Sequence, residues 1–218
     1  MNRNLQSNLT GWVLIFPFVF FFTVFLVYPF VYTVVHSFTD SPLIGWGNWV
    51  GLENYQKILK DKLFGKSIYQ TFIFVAWTVI PNTVIGLLIA MMIHRIQSTI
   101  YAAIILGCFF IPHILPVTVV TDLWGSMTSN DLGIIQWIVK MFQDDPIPFF
   151  RHKVWAMPSV ALITVWWTVG FNVLLFLAGL KMINPEIYEA SDIDGANKWH
   201  KFRFITWPLI WPITALVL

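Results

Sequence analysis

Five stretches of the chain lack any Asp, Glu, Lys or Arg: residues 12–35, 67–93, 100–120, 154–180 and 204–218. The first four are long enough, at about 20 residues and 1.5 Å per residue, to cross roughly 30 Å of hydrocarbon as α-helices. The fifth reaches the last residue after 15 positions, so a truncated or partly covered polypeptide is expected. The pattern predicts an all-α, polytopic membrane bundle forming one transmembrane domain over residues 1–218. The run at 12–35 is too long for a signal-peptide core of roughly 7–15 residues and reads as a retained anchor.

The polar segments between the runs carry their own patterns. In "GLENYQKILKDKLFGKSIYQTF", Tyr55, Ile58, Leu59 and Leu63 fall at helical spacing with lysines between them, which predicts an amphipathic helix at the membrane surface or against a partner. The stretch "DLGIIQWIVKMF" repeats that pattern until "DDPIPFF" breaks it. Gly47 and Gly51 stand at GxxxG spacing, but in a polar loop where the transmembrane dimer mechanism has no place.

The segment 181–203 is the most charged in the chain relative to its flanks. Asn184 followed by Pro185 predicts a helix start, because asparagine accepts from exposed backbone N–H groups and proline has none to leave unpaired. Glu186 and Glu189 fall in the first turns, where the helix dipole favours negative charge. Gly195 after Asp194 predicts the end, glycine taking a left-handed backbone without strain. A second short helix is expected from Ala196, with Trp199 and Phe202 toward the bilayer and Lys198, Lys201 and Arg203 toward water. Ala190 and Ser191 are small enough for close approach by another protein.

Composition narrows the class. The chain is 57% hydrophobic and 11% charged, against about one quarter charged in a soluble domain. A net charge of +2 without a basic stripe gives no indication of a nucleic-acid partner. Cys108, the single cysteine, can form no internal disulfide and reads as a packing residue. With the N-terminus inside, six Lys/Arg fall on the inner segments and seven on the longer outer loops. That bias leans toward an inner N-terminus and is too weak to fix it.

Three polar side chains lie near mid-membrane: Asn82, His113 and Asn172, each close to a helix-loosening residue, respectively Pro81, Pro112 and Gly170. Transporters place solute sites at broken helices near the midplane, which motivates a substrate pathway. Trp166, Trp167 and Phe171 offer aromatic faces to a sugar ring. The competing reading is structural: interhelix hydrogen bonds of around 1 kcal/mol each, and tryptophans in belt or packing roles. The charge-free runs contain no carboxylate relay of the kind proton-coupled carriers use. No GxxxxGK[ST] loop is present to cradle ATP, nor HExxH, paired CxxC or GxSxG. No cofactor or metal is therefore expected on this chain.

Residues Glu189, Ala190, Ser191, Asp194, Gly195, Ala196, Phe202, Ile205, Pro208 and Pro212 follow the spacing of the EAA loop of binding-protein-dependent ABC transporter permeases, which this segment resembles. Ser191 replaces alanine in that pattern and keeps its small volume. "LIFPFVFFFTVFLVYPFVYTVVHSFTD", "WVGLENY", "FIPHILPVTVVTDLW" and "WWTVGFNVLLFLAGLKMINPEIYEA" are similar to carbohydrate-uptake members, in which Gly51, Leu52, Asn54 and Tyr55 match a group-specific pattern. The resemblance implies a type I importer permease of six spans with a cytoplasmic loop that docks on an ATP-binding subunit. It further implies a second, non-identical permease, a dimer of ATPases that binds the ATP, and an extracytoplasmic solute-binding protein. The implied location is the plasma membrane of a bacterium or archaeon, N-terminus cytoplasmic. A second reading is a polytopic enzyme acting on lipid-linked sugars, with Glu189, Asp192 and Asp194 as acid, base or metal ligands.

Overall fold

A computed structural model describes residues 2–41, 45, 47–130, 133–143 and 145–218, with side chains from residue 11 onward. Asp131, Leu132 and Asp144, in the outer stretches read above, lie outside the described residues. The chain resolves into two compact units, residues 1–69 and 70–218.

In the first unit, α1 (Asn2–Phe22) and α2 (Tyr28–His36) are joined by a five-residue π-helical turn, Thr23–Val27. Pro29 follows one residue later. In a regular α-helix its ring would press on the carbonyl four residues back, and one wide turn before the ring lets the helix continue. The helical stretch Gly11–His36 is long and apolar enough to cross a membrane. Beyond it, Gly51 sits at φ +58 and turns the chain into α3 (Glu53–Lys60). Asn54 Nδ2 donates to the carbonyls of Ser37 (3.0 Å) and Thr39 (2.8 Å), and the Tyr55 hydroxyl meets Ser37 Oγ at 2.6 Å. The Gly-Leu-x-Asn-Tyr stretch is therefore a clasp that folds the loop back onto the end of α2. The amphipathic helix expected through Leu63 stops earlier. Asp61 leaves the helical backbone (ψ 117) and its carboxylate caps Leu63 N at 2.8 Å, which starts α4 (Lys62–His94) anew.

The second unit is organised on α8 (Ala156–Lys181). Val169, Val173, Phe176, Leu177 and Leu180 form one buried stripe of it, packed with Leu87, Ala90 and Ile93 of α4 and with Ile210. Association of apolar helices in lipid depends on close backbone approach, which small residues permit. Gly170 supplies it: a Cβ there would stand 2.0 Å from the Phe109 carbonyl oxygen of α5 (Thr99–Ile114). A Cβ added at Gly86 would stand 3.0 Å from Asn172 Cβ, and one at Gly179 would stand 2.8 Å from Ile213. Gly170, read above as a loosening residue, is a packing notch in an unbroken helix, and Pro81 likewise lies inside a continuous α4.

The run 100–120, read as one span, is two helices. After α5 the chain turns by 96° into α6 (Val117–Met127). Pro116 has no N–H to give and its ring pushes Leu115 out of the helical region, to ψ 134. The segment after α6 closes around Gln136 of α7 (Ile134–Lys140), which is 1% exposed. Its amide donates to the Thr128 carbonyl at 3.3 Å and to the Ile147 carbonyl, and accepts from Ile147 N at 3.2 Å. The final run is helical as a π turn, Phe202–Thr206, followed by α11 (Trp207–Val217).

Replacing Gly170 by alanine is expected to destabilise the protein by about 1–3 kcal/mol, because the Phe109 backbone must give way. Gly107→Ala on α5, where a Cβ meets nothing within 4 Å, serves as the neutral control. Thermal unfolding in detergent checks both; equal midpoints for Gly170→Ala and Gly107→Ala contradict the crossing.

Candidate functional site: a capped hairpin built into the bundle

The charged segment folds as α9 (Pro185–Ile193) and α10 (Lys198–Lys201), joined by a tight turn. Asn184 Oδ1 accepts from Glu186 N at 3.1 Å, and Pro185 stands at the first helical position. The far end closes as a Schellman motif: Gly195 N donates to Asp192 O (3.1 Å), Ala196 N donates to Ser191 O (2.9 Å), and Gly195 lies at φ +74. Asn197 then caps α10 by accepting from His200 N at 2.9 Å. The second helix thus begins at Lys198, two residues later than expected, because Asn197 provides the cap.

The underside of this hairpin is part of the bundle core. Ile183 is buried there, and Tyr188 and Phe202 pack against the cluster of Leu180 and Ile210. The Tyr188 hydroxyl meets Thr206 Oγ1 at 2.9 Å, which ties α9 to the π turn leading into α11. That turn repeats the device seen before Pro29: five π-helical residues precede Pro208. Lys201 pairs with Asp192 and keeps only 20% of its side chain exposed. Phe202 stays beside Trp199, ring centroids 5.7 Å apart, while its half-buried ring also packs on the core cluster. One expectation changes here: Lys201 folds back onto the opposite arm, drawn by the Asp192 carboxylate.

The sequence-selected residues divide by exposure. Glu189, Ala190, Asp194 and Gly195 are exposed, Ala196 and Phe202 are half-buried, and Ser191 is 8% exposed with its hydroxyl donating to Tyr188 O at 2.7 Å. The small volume of Ser191 thus serves packing within the hairpin. Ile193, which sequence reasoning passed over, is 89% exposed beside the glycine turn. An isoleucine on the solvent side of a polar helix was the available signal.

The polar residues expected near mid-membrane either meet side chains of α8 or lie on it. Asn82 is 8% exposed; its Nδ2 donates to Thr168 Oγ1 at 2.8 Å, while its Oδ1 is buried without a partner. The His113 ring stacks on Phe171 with centroids 5.1 Å apart, and its Nδ1 is likewise buried and unpaired. Asn172 is half-buried against Gly86. Trp167, half-buried, has a structural part: its indole N–H donates to Leu115 O at 3.1 Å across the α5–α6 bend. In hydrocarbon an unpaired carbonyl costs several kcal/mol, so this indole makes the bend tolerable.

The enzyme reading gains nothing from this geometry. Asp192 is engaged with Lys201, and among the described residues no three His, Cys, Asp or Glu gather as a metal-holding group.

Comparison with known proteins agrees with the geometry. The chain is 30% identical over 227 residues to a trehalose/maltose transport system permease protein, MalF, of Thermococcus litoralis, covering 100% of this chain and 76% of that one. It is 32% identical to an arabinooligosaccharides transport system permease protein, AraP, of Bacillus subtilis, over 93% of this chain and 64% of that one. Its fold superposes with a TM-score of 0.85 on a chain of a bacterial ABC transporter involved in alginate import, at 22% identity, covering 99% of this chain and 72% of that one. Residues 62–218 match the model of the family described as binding-protein-dependent transport system inner membrane component, and the chain belongs to that family.

Proposed function

We propose that this chain is the translocation subunit of an ATP-driven importer of a carbohydrate or related solute, coupled to an ATPase subunit through residues 185–203. The observation that carries the reading is the two-sided hairpin. Its outer face presents Glu189, Ile193 and Asp194, and its inner face is continuous with the core of α8 and α11. A force applied to the outer face is delivered to two helices at once, because Tyr188 bonds Thr206 ahead of α11 and Ile183 packs in the cluster built on α8. The apolar Ile193 among charged neighbours is suited to a cleft on a partner.

In this reading the hairpin faces the cytoplasm and the N-terminus with it. ATP binds and is hydrolysed on a dimer of partner subunits, and a second, non-identical permease completes the pathway. The outer segment braced by Gln136 faces an extracytoplasmic solute-binding protein. One solved relative is an alginate transporter in complex with an alginate pentasaccharide-bound periplasmic protein. The relatives named above handle trehalose/maltose and arabinooligosaccharides, which supports a carbohydrate as the solute class. Along the pathway, the unpaired Asn82 Oδ1 and His113 Nδ1, with Phe171 beside them, are groups a passing hydroxylated solute can pair with.

Glu189→Ala and Ile193→Asp in the assembled transporter are each expected to lower solute-stimulated ATP hydrolysis at least tenfold without loss of fold. Unchanged stimulation in both contradicts the coupling role. A cysteine at Glu189, in a Cys108→Ala background, should react with an impermeant thiol reagent only when the cytoplasmic face is accessible. Labelling from the outer face overturns the orientation. Asn82→Ala, His113→Ala and Asn172→Ala, assayed singly for uptake, should change rate or preference in at least one case. Three unchanged variants contradict the pathway and leave the interhelix hydrogen-bond role.

A further inference from the structure

Next to the hairpin, on the side of α4, two hollows of about 210 and 470 Å³ adjoin and share Met91, Arg95, Lys198 and Phe202 in their walls. The larger is floored by Val84, Leu87, Leu88 and Met91, which recur at helical spacing on one face of α4. Trp199, Phe202 and Trp207 form the opposite wall. The mouth is basic: Arg95 and Lys198 line both hollows, and none of the lining residues is acidic. Arg95 and Lys198 are exposed, and neither takes part in an ion pair among the described residues, whereas Lys201 is occupied by Asp192.

This arrangement is wrong for a sugar. Below the rim the floor is hydrocarbon, and Tyr188 and Thr206, the hydroxyls facing the smaller hollow, already bond each other. It is right for a molecule with a long apolar tail and one anionic group at its end. From Val84 to Arg95 is roughly 16 Å along the helix axis, close to the depth of one leaflet, about half of a 30 Å hydrocarbon core. Tryptophans sit at the height where chain meets headgroup. Basic pockets between transmembrane helices at a membrane face hold anionic lipid headgroups by the same combination.

We propose that the groove between the end of α4 and the α10–α11 segment binds one anionic glycerophospholipid. An acyl chain lies along Val84, Leu87, Leu88 and Met91, and the phosphodiester is held by Arg95 and Lys198. Because Lys198 belongs to the hairpin and Arg95 follows the end of α4, the lipid bridges the coupling element to a helix it otherwise meets only through side-chain packing. Anionic lipid thereby fixes the resting position of the hairpin. This role rests on the membrane placement of the chain and holds whatever solute is carried.

The test uses the intact transporter in nanodiscs of phosphatidylcholine with graded phosphatidylglycerol, the lipids retained on extraction being counted by native mass spectrometry. The Arg95→Gln/Lys198→Gln variant should retain phosphatidylglycerol at least about tenfold more weakly, the scale of two lost contacts to an anionic lipid, with phosphatidylcholine unchanged. Leu88→Trp, which fills the groove and keeps both cations, should lose the same lipid. Equal phosphatidylglycerol retention by wild type and the double variant overturns the proposal. So does its displacement by inorganic phosphate, which would mark a site for a free anion. A photoreactive side chain at Leu88 should capture lipid; capture of a polypeptide segment means that protein fills the groove, and also overturns it.

Discussion

The packed joint where the hairpin meets α8 and α11 is the constraint on which the rest depends. A segment bearing Glu186, Glu189, Asp192, Asp194, Lys198, Lys201 and Arg203 cannot enter hydrocarbon, so it has to lie at the membrane face. There it would hang as a loose loop, were it not for Ile183, Tyr188 and Phe202 inserted into the same cluster as Leu180 and Ile210. Both ends are closed by local hydrogen bonds, with Asn184 and Asn197 capping the helix starts and Gly195 closing the turn. The result is a rigid polar element mounted on an apolar shaft. Ser191, buried and bonded to Tyr188 O, is part of that mount.

Inside the bundle, the rule that backbone polar groups must find partners away from water explains the irregular places. The two π turns, before Pro29 and before Pro208, keep helices continuous past a ring that would break a regular turn. The α5–α6 bend exposes the Leu115 carbonyl, and Trp167 from α8 covers it. The α5–α8 crossing needs Gly170 so that the two backbones can touch. These contacts make α8 the element that carries the partners of Asn82 and His113, since Thr168, Gly170, Phe171 and Asn172 all lie on it.

Much of this was legible from residue order alone. Asn184-Pro185 and Asp194-Gly195 announced the limits of α9, because caps depend on local chemistry that neighbours in sequence supply. The long apolar runs gave the helices at Gly11–His36, Lys62–His94 and Ala156–Lys181, because hydrocarbon thickness sets a length that composition records. What stayed hidden depends on direction and on distant partners. Hydropathy counted 100–120 as one span, since it cannot register a 96° turn at Leu115 and Pro116. Gly170 was read as a loosening residue, because its partner Phe109 lies 61 positions away. Phe202 keeps its expected place beside Trp199, ring centroids 5.7 Å apart, but its second contact, with the core cluster of Leu180 and Ile210, is one that spacing alone does not show. Asn54 and Tyr55 carried a recognisable pattern, but only the folded loop shows the Asn54 amide placed on the carbonyls of Ser37 and Thr39.

The central claim is that the hairpin and α11 move as one body. Spin labels at Ala190 and Leu209, both exposed, measured by pulsed dipolar spectroscopy in the assembled transporter, test it directly. The account predicts a single distance that stays within about 2 Å between the nucleotide-free state and a state trapped during ATP hydrolysis, on the scale of small interface shifts. A distance that changes by a full helical turn, about 5.4 Å, or splits into two populations would mean that the hairpin slides on its mount, and would contradict the claim.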